Sequence, residues 1–394
     1  VIEAMTRYAE ELGASPGRGA YDEARRSGEL LWKCREALLR LAHGGRSVEG
    51  AERVIFTLNC SDALNLAIRG VVHNAICRTG APPHVVTTAM EHNSVLRPLN
   101  ELRGRGEVEF TIVPADPETG IVDPDDVLRA VRGDTALVAV VHASNVSGSI
   151  QPIGRIGSVL RDRGVPFLVD AAQTIGHLPI DMDAAGVDLL AFPGHKGLLG
   201  PLGTGALVMR EGMDELVDTV REGGTGSRSE EDTQPRELPD KYEPGSHNAI
   251  GIAGLLASCE WLLEPGRGVE GIARHERELT EAFLRGIEPL MGESVRLLGP
   301  QSATNRVGVF GLAQDGTQPS VFAWRLENEF GVLGRAGLHC APRAHGTFGT
   351  RTHALGAEYA GATRLSVGAF TTVEDVERAV EAIGVCARGG VGVR

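Results

Sequence analysis

Two short apolar runs constrain the architecture of this chain more than any other feature. Phe167-Leu168-Val169 stops on Asp170, and Leu189-Leu190-Ala191-Phe192 stops on Pro193-Gly194-His195-Lys196. Continuous apolar runs this short are typical of strands covered on both faces, as in the interior of a parallel sheet. Strand and helix patterns alternate on the N-terminal side. Val54–Thr57, Val85–Thr88, Val108–Val113 and Leu137–His142 are expected strands. Asp62–Ile76, Val95–Arg103, Pro124–Val131 and Ile153–Arg163 are expected helices, and Gly205–Met209 is a last strand. Such alternation predicts an α/β chain built on a mainly parallel sheet with helices on both sides.

The helical pattern of Tyr21 to Leu41 precedes this block, with Leu30, Leu31, Leu38 and Leu41 turned inward. A long polar stretch, Gly223 to Gly245, follows it; aperiodic loops of that length are usually functional or mobile. Helical patterns then cover Ile250–Leu263 and Val269–Leu290. A smaller α+β unit comes next, with strands near Val295–Leu298, Arg306–Phe310 and Thr363–Val367 and helices at Ser320–Glu329 and Val373–Ala387. Pro265 and Gly266 break the helical pattern. The expected division is an N-terminal segment 1–20 packing with the small unit, a large domain 21–264 and a small C-terminal domain 265–394.

Composition excludes several functions. Lys and Arg number 39 against 52 Asp and Glu, and the net charge of -13 disfavours nucleic acid and anionic membranes as partners. No apolar run reaches the roughly 18 residues that span a bilayer. The residues Val1 to Leu12 are acidic and amphipathic, unlike a secretory signal. Because the chain opens on Val, a short preceding segment is expected. The cysteines Cys34, Cys60, Cys77, Cys259, Cys340 and Cys386 form no C-x-x-C pair or Cys/His ligand spacing, so no metal is expected. Scattered thiols suit a cytoplasmic protein.

In open α/β sheets, ligands bind beyond the carboxyl ends of the strands. Asp170 and Gln173 after one strand and His195 and Lys196 after another should therefore meet in one crevice. A lysine that forms a Schiff base and a carboxylate that holds a pyridine nitrogen protonated are what pyridoxal 5'-phosphate (PLP) chemistry requires. The strand Val54–Thr57 runs through Asn59-Cys60-Ser61 into a helix, whose first amides and Ser61 hydroxyl suit a phosphate; an ordinary Ser/Asp cap explains the same residues. His92 could stack on a planar cofactor or carry protons. Asn145 could donate to a phenolate oxygen or to a substrate carboxylate. Both also suit satisfied loop residues. In the C-terminal unit, Cys340 lies on a Gly/Pro-bounded loop with His339 and Arg335 as neighbours, where positive charge would favour a thiolate. Arg364, on an expected strand, suits a bidentate grip on a carboxylate or a surface ion pair.

Asp170-x-x-Gln173, Gly194-His195-Lys196, Gly223-Gly224-Thr225-Gly226, Tyr242-Glu243-Pro244-Gly245-Ser246-His247-Asn248, Arg335-x-Gly337-x-His339-Cys340-x-Pro342 and Thr363-Arg364-Leu365-Ser366 follow one another along the chain. In this order and spacing the whole chain resembles the class V, fold-type I PLP enzymes, in particular the group II cysteine desulfurases and selenocysteine lyases. The resemblance implies Lys196 as the Schiff-base lysine and proton shuttle, Asp170 on the pyridine nitrogen, Gln173 on the ring hydroxyl and His92 stacked on the ring. It implies Cys60, Ser61 and His195 around the phosphate, with Ser246 reaching in from a second subunit. Asn145, Arg335 and Arg364 would bind the substrate, and Cys340 would take the sulfur. Pro193 stands where the family usually has a hydroxyl residue, and Cys60, Ser61 and Ser246 stand where threonines are common.

The implied activity is conversion of L-cysteine to L-alanine, with a persulfide on Cys340 that passes to a sulfur-acceptor protein, in a homodimer. L-selenocysteine is an alternative substrate. Another class V reaction, transamination or epimerisation, and a non-catalytic assembly partner are further alternatives.

Overall fold

The computed structural model describes every residue except 18, 293–294, 315, 352–359 and 389–394. Its helices are α1 (Ile2–Arg7), α2 (Asp22–Ala42), α3 (Cys60–Thr79), α4 (Asn93–Gly104), α5 (Pro124–Ala130), α6 (Ile153–Arg163), α7 (Met182–Ala185), α8 (Ala249–Leu262), α9 (Val269–Ile287), α10 (Pro319–Phe330), α11 (Pro342–Thr347) and α12 (Val373–Arg388). The strands are β1 (Val54–Thr57), β2 (His84–Thr88), β3 (Glu109–Val113), β4 (Thr135–Val141), β5 (Phe167–Asp170), β6 (Leu189–Pro193), β7 (Gly205–Met209), β8 (Val295–Leu297), β9 (Val309–Gln314), β10 (Arg335–Gly337) and β11 (Ala362–Ser366).

Seven strands form one sheet in the order β1-β7-β6-β5-β4-β2-β3. β7 alone points opposite to the other strands, so its pairings with β1 and β6 are antiparallel. Successive residues of β5 enter different cores, as a two-faced strand must. Phe167 and Val169 pack with Leu38, Leu39, Ile252 and Leu255 of α2 and α8. Leu168 packs on the other face with Leu64 and Ile68 of α3 and Leu99 of α4. The unbroken apolar runs follow from this arrangement.

A second sheet, β10-β11-β9-β8, is antiparallel throughout. Its own core gathers Leu279 and Phe283 of α9, Phe310, Phe322 and Ile383. The rings of Phe283 and Phe310 stack with centroids 3.9 Å apart.

Three details differ from the sequence expectations. The strand expected from Arg306 starts at Val309, because the buried Arg306 guanidinium donates to the carbonyls of Pro300, Ser147 and Val309. Arg335–Gly337, expected in a loop, pairs with β11 as a three-residue strand. The N-terminal segment, expected against the small unit, packs on the large one. The Tyr8 hydroxyl bonds Ser27 Oγ of α2 and the Ala14 carbonyl, each at 2.6 Å. Met5 lies so close to α8 that a Cβ at Gly254 would fall 2.8 Å from its Cγ. The buried tyrosine and methionine contacts, invisible in a local pattern, decide the placement.

One buried ion pair ties the polar 242–248 stretch to the large core. Arg35 of α2 grips Glu243 through two bonds, 2.8 and 2.5 Å, and Glu243 accepts the Phe56 amide of β1 at 2.6 Å. The guanidinium also lies 4.3 Å from the centre of the Phe56 ring. Removing one partner would leave a buried charge uncompensated. Glu243→Ala should therefore destabilise the fold by about 3–5 kcal/mol, read from denaturant unfolding. A loss below about 1 kcal/mol, the value of a surface pair, would show that the pair does not staple this stretch.

Candidate active site

Strands β2, β4, β5 and β6 are mutually parallel, so their carboxyl ends share one edge of the sheet. Asp170 ends β5 and is 3% exposed. Its Oδ1 accepts the Ala172 amide at 2.9 Å and faces the Cys60 thiol at 3.5 Å. Gln173 is half-buried in the turn that follows. After β6 the chain turns through Gly194, where a Cβ would lie 2.1 Å from Thr204 Oγ1. The Gly194 amide donates to the Thr204 carbonyl, and the Gly200 amide returns to the Gly194 carbonyl, each at 2.8 Å. His195 and Lys196 are mounted exposed on this fastened loop. Burial, then the Lys196 charge, holds the His195 imidazole below its ordinary range.

Helix α3 starts two residues earlier than expected, with Asn59 rather than Ser61 or Asp62 as its cap. Asn59 Oδ1 accepts the Asp62 amide at 3.1 Å. Cys60 and Ser61 thereby become the first residues of the helix, where amides point outward and favour an anion. The Cys60 side chain turns to Asp170, and burial and the Asp170 charge push its thiol up. As a phosphate ligand it has only its amide to offer.

His92 caps α4: its Nδ1 lies 3.1 Å from the Ser94 amide and 2.9 Å from Ser94 Oγ, which meets Ser61 Oγ at 2.6 Å. Burial lowers the imidazole's affinity for a proton, and the charges of Asp170, Lys196 and Arg335 all bear on the ring. His92, Ser61, Ser94 and Cys340 line one open cleft of about 720 Å³.

Cys340 reaches that cleft from the small unit on a strained turn. Both His339 and Cys340 adopt left-handed backbone angles, φ 50° and 58°. Such conformations cost on the order of 1–3 kcal/mol each and persist only where the surroundings hold them. Here the large unit holds both carbonyls. The Asn93 amide donates to Cys340 O at 2.7 Å, and Asn145 Nδ2 donates to His339 O at 2.6 Å. The Cys340 thiol lies 3.8 Å from Arg335 Nη2. Arg335 stands directly opposite Arg364 across the β10–β11 ladder. Like charges facing each other are unfavourable; burial, then Arg335, depresses the Arg364 guanidinium. An anion seated between them would relieve that repulsion. Arg364 also donates to the Asn145 carbonyl at 2.9 Å.

Two electrostatic expectations need correction. His339 does not supply positive charge to Cys340. Its ring nitrogens face His345 Nε2 at 3.2 Å and the Arg335 carbonyl at 2.9 Å, and burial pushes the imidazole down to about 4. The Asn145 amide is already engaged on the His339 carbonyl, so a ligand could draw only on its second N–H or its Oδ1. Ser246 stands exposed on the 242–248 stretch, fastened by Glu243 below and by the Gly245 amide on the Gly224 carbonyl at 2.8 Å.

Sequence reasoning gave no role to two groups beside the crevice. Glu91 is fully buried, and burial pushes its carboxyl up to about 8. Its Oε1 accepts the Thr88 hydroxyl at 2.6 Å and the Val141 amide at 3.0 Å, joining the ends of β2 and β4. Ser94 links His92 to Ser61. Both residues sit in Glu91-His92-Asn93-Ser94, and an acidic residue just beyond a buried strand is the signal by which the first could have been found.

Residues 1–379 match the class-V aminotransferase family. A probable cysteine desulfurase of Methanothermobacter thermautotrophicus is 34% identical over 96% of this chain and 88% of its own length. A probable cysteine desulfurase of Aeropyrum pernix is 32% identical over 97% and 90%. The solved apo structure of a cysteine desulfurase from Thermococcus onnurineus NA1 superposes with a TM-score of 0.86 at 28% identity, covering 98% of this chain and 91% of that one.

Proposed function

The chain belongs to the class-V aminotransferase family, and from that premise we propose that it is a cysteine desulfurase dependent on PLP. The observation that carries this reading is the Cys340 thiol, presented from a strained turn beside Arg335 into the cleft that His92 lines. A transaminase or epimerase has no use for a thiol in that position.

The residues present fit PLP. A buried carboxylate ends β5, a fastened loop carries Lys196 beside it, and the first amides of α3 face the same edge. Bound PLP supplies an electron sink for the carbanion at the substrate Cα. Lys196 would anchor it and move the Cα proton. Asp170 would keep the pyridine nitrogen protonated, Gln173 would bond the ring hydroxyl, and His92 would cover the ring face. The amides of Cys60 and Ser61, the Ser61 hydroxyl and His195 would hold the phosphate. Arg364 and Arg335 bind the substrate carboxylate, and Asn145 holds the Cys340 turn while offering its remaining N–H to the ligand.

Cys340 then attacks the sulfur of the substrate. The Cβ–S bond breaks, an S–S bond forms, and the carbon skeleton leaves as L-alanine. The balance needs no external oxidant, because the substrate carbon is reduced as the sulfur reaches the persulfide level. A separate acceptor protein collects that sulfur. The active unit is a homodimer in which Ser246 of each chain completes the other's phosphate site. The scattered, unpaired cysteines suit a reducing compartment, the cytoplasm. Among the described residues no helix is long and apolar enough to cross a membrane.

The test is a purified, PLP-loaded protein given L-cysteine. Alanine and sulfide should appear together with a thiol reductant present, and alanine should stop near one equivalent per site without it. Keto-acid formation without sulfide would support a transaminase instead.

A further inference from the structure

Away from the crevice, toward the far end of α3, three side chains of metal-binding chemistry meet. His73 and Cys77 are exposed and four residues apart, contrary to the expectation that no cysteine stands at a Cys/His ligand spacing, so they project from one face of the helix. Cys77 Sγ lies 3.8 Å from His73 Nε2, and His73 Nδ1 lies 2.8 Å from Asp218 Oδ2. One ligand atom from each residue comes within 4.8 Å of the others.

The arrangement is held in place by its surroundings. Asp218 reaches the helix only because the chain crosses it at Gly70. A Cβ there would lie 2.6 Å from both Asp218 O and Val217 Cγ1. The Asp218 amide donates to the Gly70 carbonyl at 3.1 Å. Asn74 Nδ2 donates to the second carboxylate oxygen at 2.9 Å and to the Glu215 carbonyl at 3.2 Å. Asp218 is thus fixed with one oxygen on His73 Nδ1. A carboxylate there keeps the proton on Nδ1 and leaves the Nε2 lone pair aimed at Cys77, the carboxylate–histidine–metal relation of many zinc sites.

The spacing also suits a metal. Bonds of about 2.0–2.1 Å to nitrogen and 2.3 Å to sulfur at a tetrahedral angle place the two ligands roughly 3.6 Å apart, close to the observed 3.8 Å. A hard cation such as Mg²⁺ or Ca²⁺ would want several oxygen ligands, and this cluster offers one carboxylate.

We propose that His73, Cys77 and Asp218 form a binding site for one Zn²⁺ ion, with Nε2 and Sγ as direct ligands, Asp218 orienting the ring and water filling the remaining positions. Binding displaces the thiol proton of Cys77, so one proton is released per ion bound. The ion sits about 22 Å of helix axis from the start of α3 and takes no part in the chemistry there. It would cross-link two turns of α3 and stiffen the His73–Asp218 contact that joins the helix to the 213–218 stretch.

PLP-loaded protein freed of metal by a chelator should be titrated with Zn²⁺ calorimetrically, and with Co²⁺ as an optical probe. One tight Zn²⁺ per chain, a thiolate-to-cobalt absorption band and a rise in melting temperature are expected. Cys77→Ser and His73→Ala should each lose that ion and the band, while the metal-free variants form alanine at the parent rate. Asp218→Asn should weaken binding about 10–100-fold. A Cys340→Ser chain should keep the ion. Unchanged stoichiometry and spectrum in Cys77→Ser, or loss of the ion in Cys340→Ser, would overturn the assignment.

Discussion

Lys196→Ala should cut alanine formation from L-cysteine on the order of 10⁴-fold, the upper end for a positioned acid–base group, and remove the visible absorption of lysine-bound PLP. The expectation rests on how the lysine is mounted. Gly194 and Gly200 tie its loop back onto β7 and onto itself, so the backbone should survive loss of a side chain exposed in the crevice. The charge of Lys196 bears on both His92 and His195, which puts it on the same edge as the rest of the site. Lys196→Arg keeps that charge but cannot form the Schiff base, and should be equally inactive. Borohydride reduction followed by peptide mapping should find the pyridoxyl group on Lys196. A label on another lysine, or an alanine variant within tenfold of the parent rate, would refute the role.

Much of the fold was legible because its strands are covered on both sides. An unbroken run such as Phe167–Asp170 needs no partner to be recognised as a strand, and the helices between such runs keep their period. β10 is different: Arg335-Ala336-Gly337 has no strand character of its own and becomes a strand through the ladder it shares with β11. The polar ends of β5 and β6 were legible as a crevice for the same reason as the strands. What the crevice does electrostatically was not. Cys60 meets a carboxylate 110 residues away, and Arg35 meets one 208 residues away; no local pattern announces either. Adjacency in sequence marks His339 as a source of positive charge beside Cys340. In space its ring turns to His345, and burial keeps it neutral.

Cys340→Ser should abolish alanine formation from L-cysteine and leave PLP binding intact. The thiol's setting singles it out from the other buried or half-buried cysteines. Burial pushes the thiols of Cys34, Cys60, Cys259 and Cys386 up and keeps them neutral, while Cys340 opens on the cleft with Arg335 at 3.8 Å. Serine is nearly isosteric, so the two left-handed residues and the bonds from Asn93 and Asn145 to their carbonyls should persist; the loss would then be chemical. Substrate should still perturb the PLP spectrum in the variant, because the Arg335–Arg364 pair proposed to receive the carboxylate is untouched. Mass spectrometry of the parent after a cysteine pulse, with thiols trapped, should place one added sulfur on the Cys340 peptide. L-selenocysteine separates the attacking role from a binding role. Selenium departs more readily than sulfur and needs no thiol to attack it, so the serine variant should retain alanine formation from that substrate. If the variant loses both substrates equally, Cys340 serves binding or folding. If it desulfurates L-cysteine at the parent rate, or the sulfur maps to Cys60 or Cys386, the sulfur passes through a different residue.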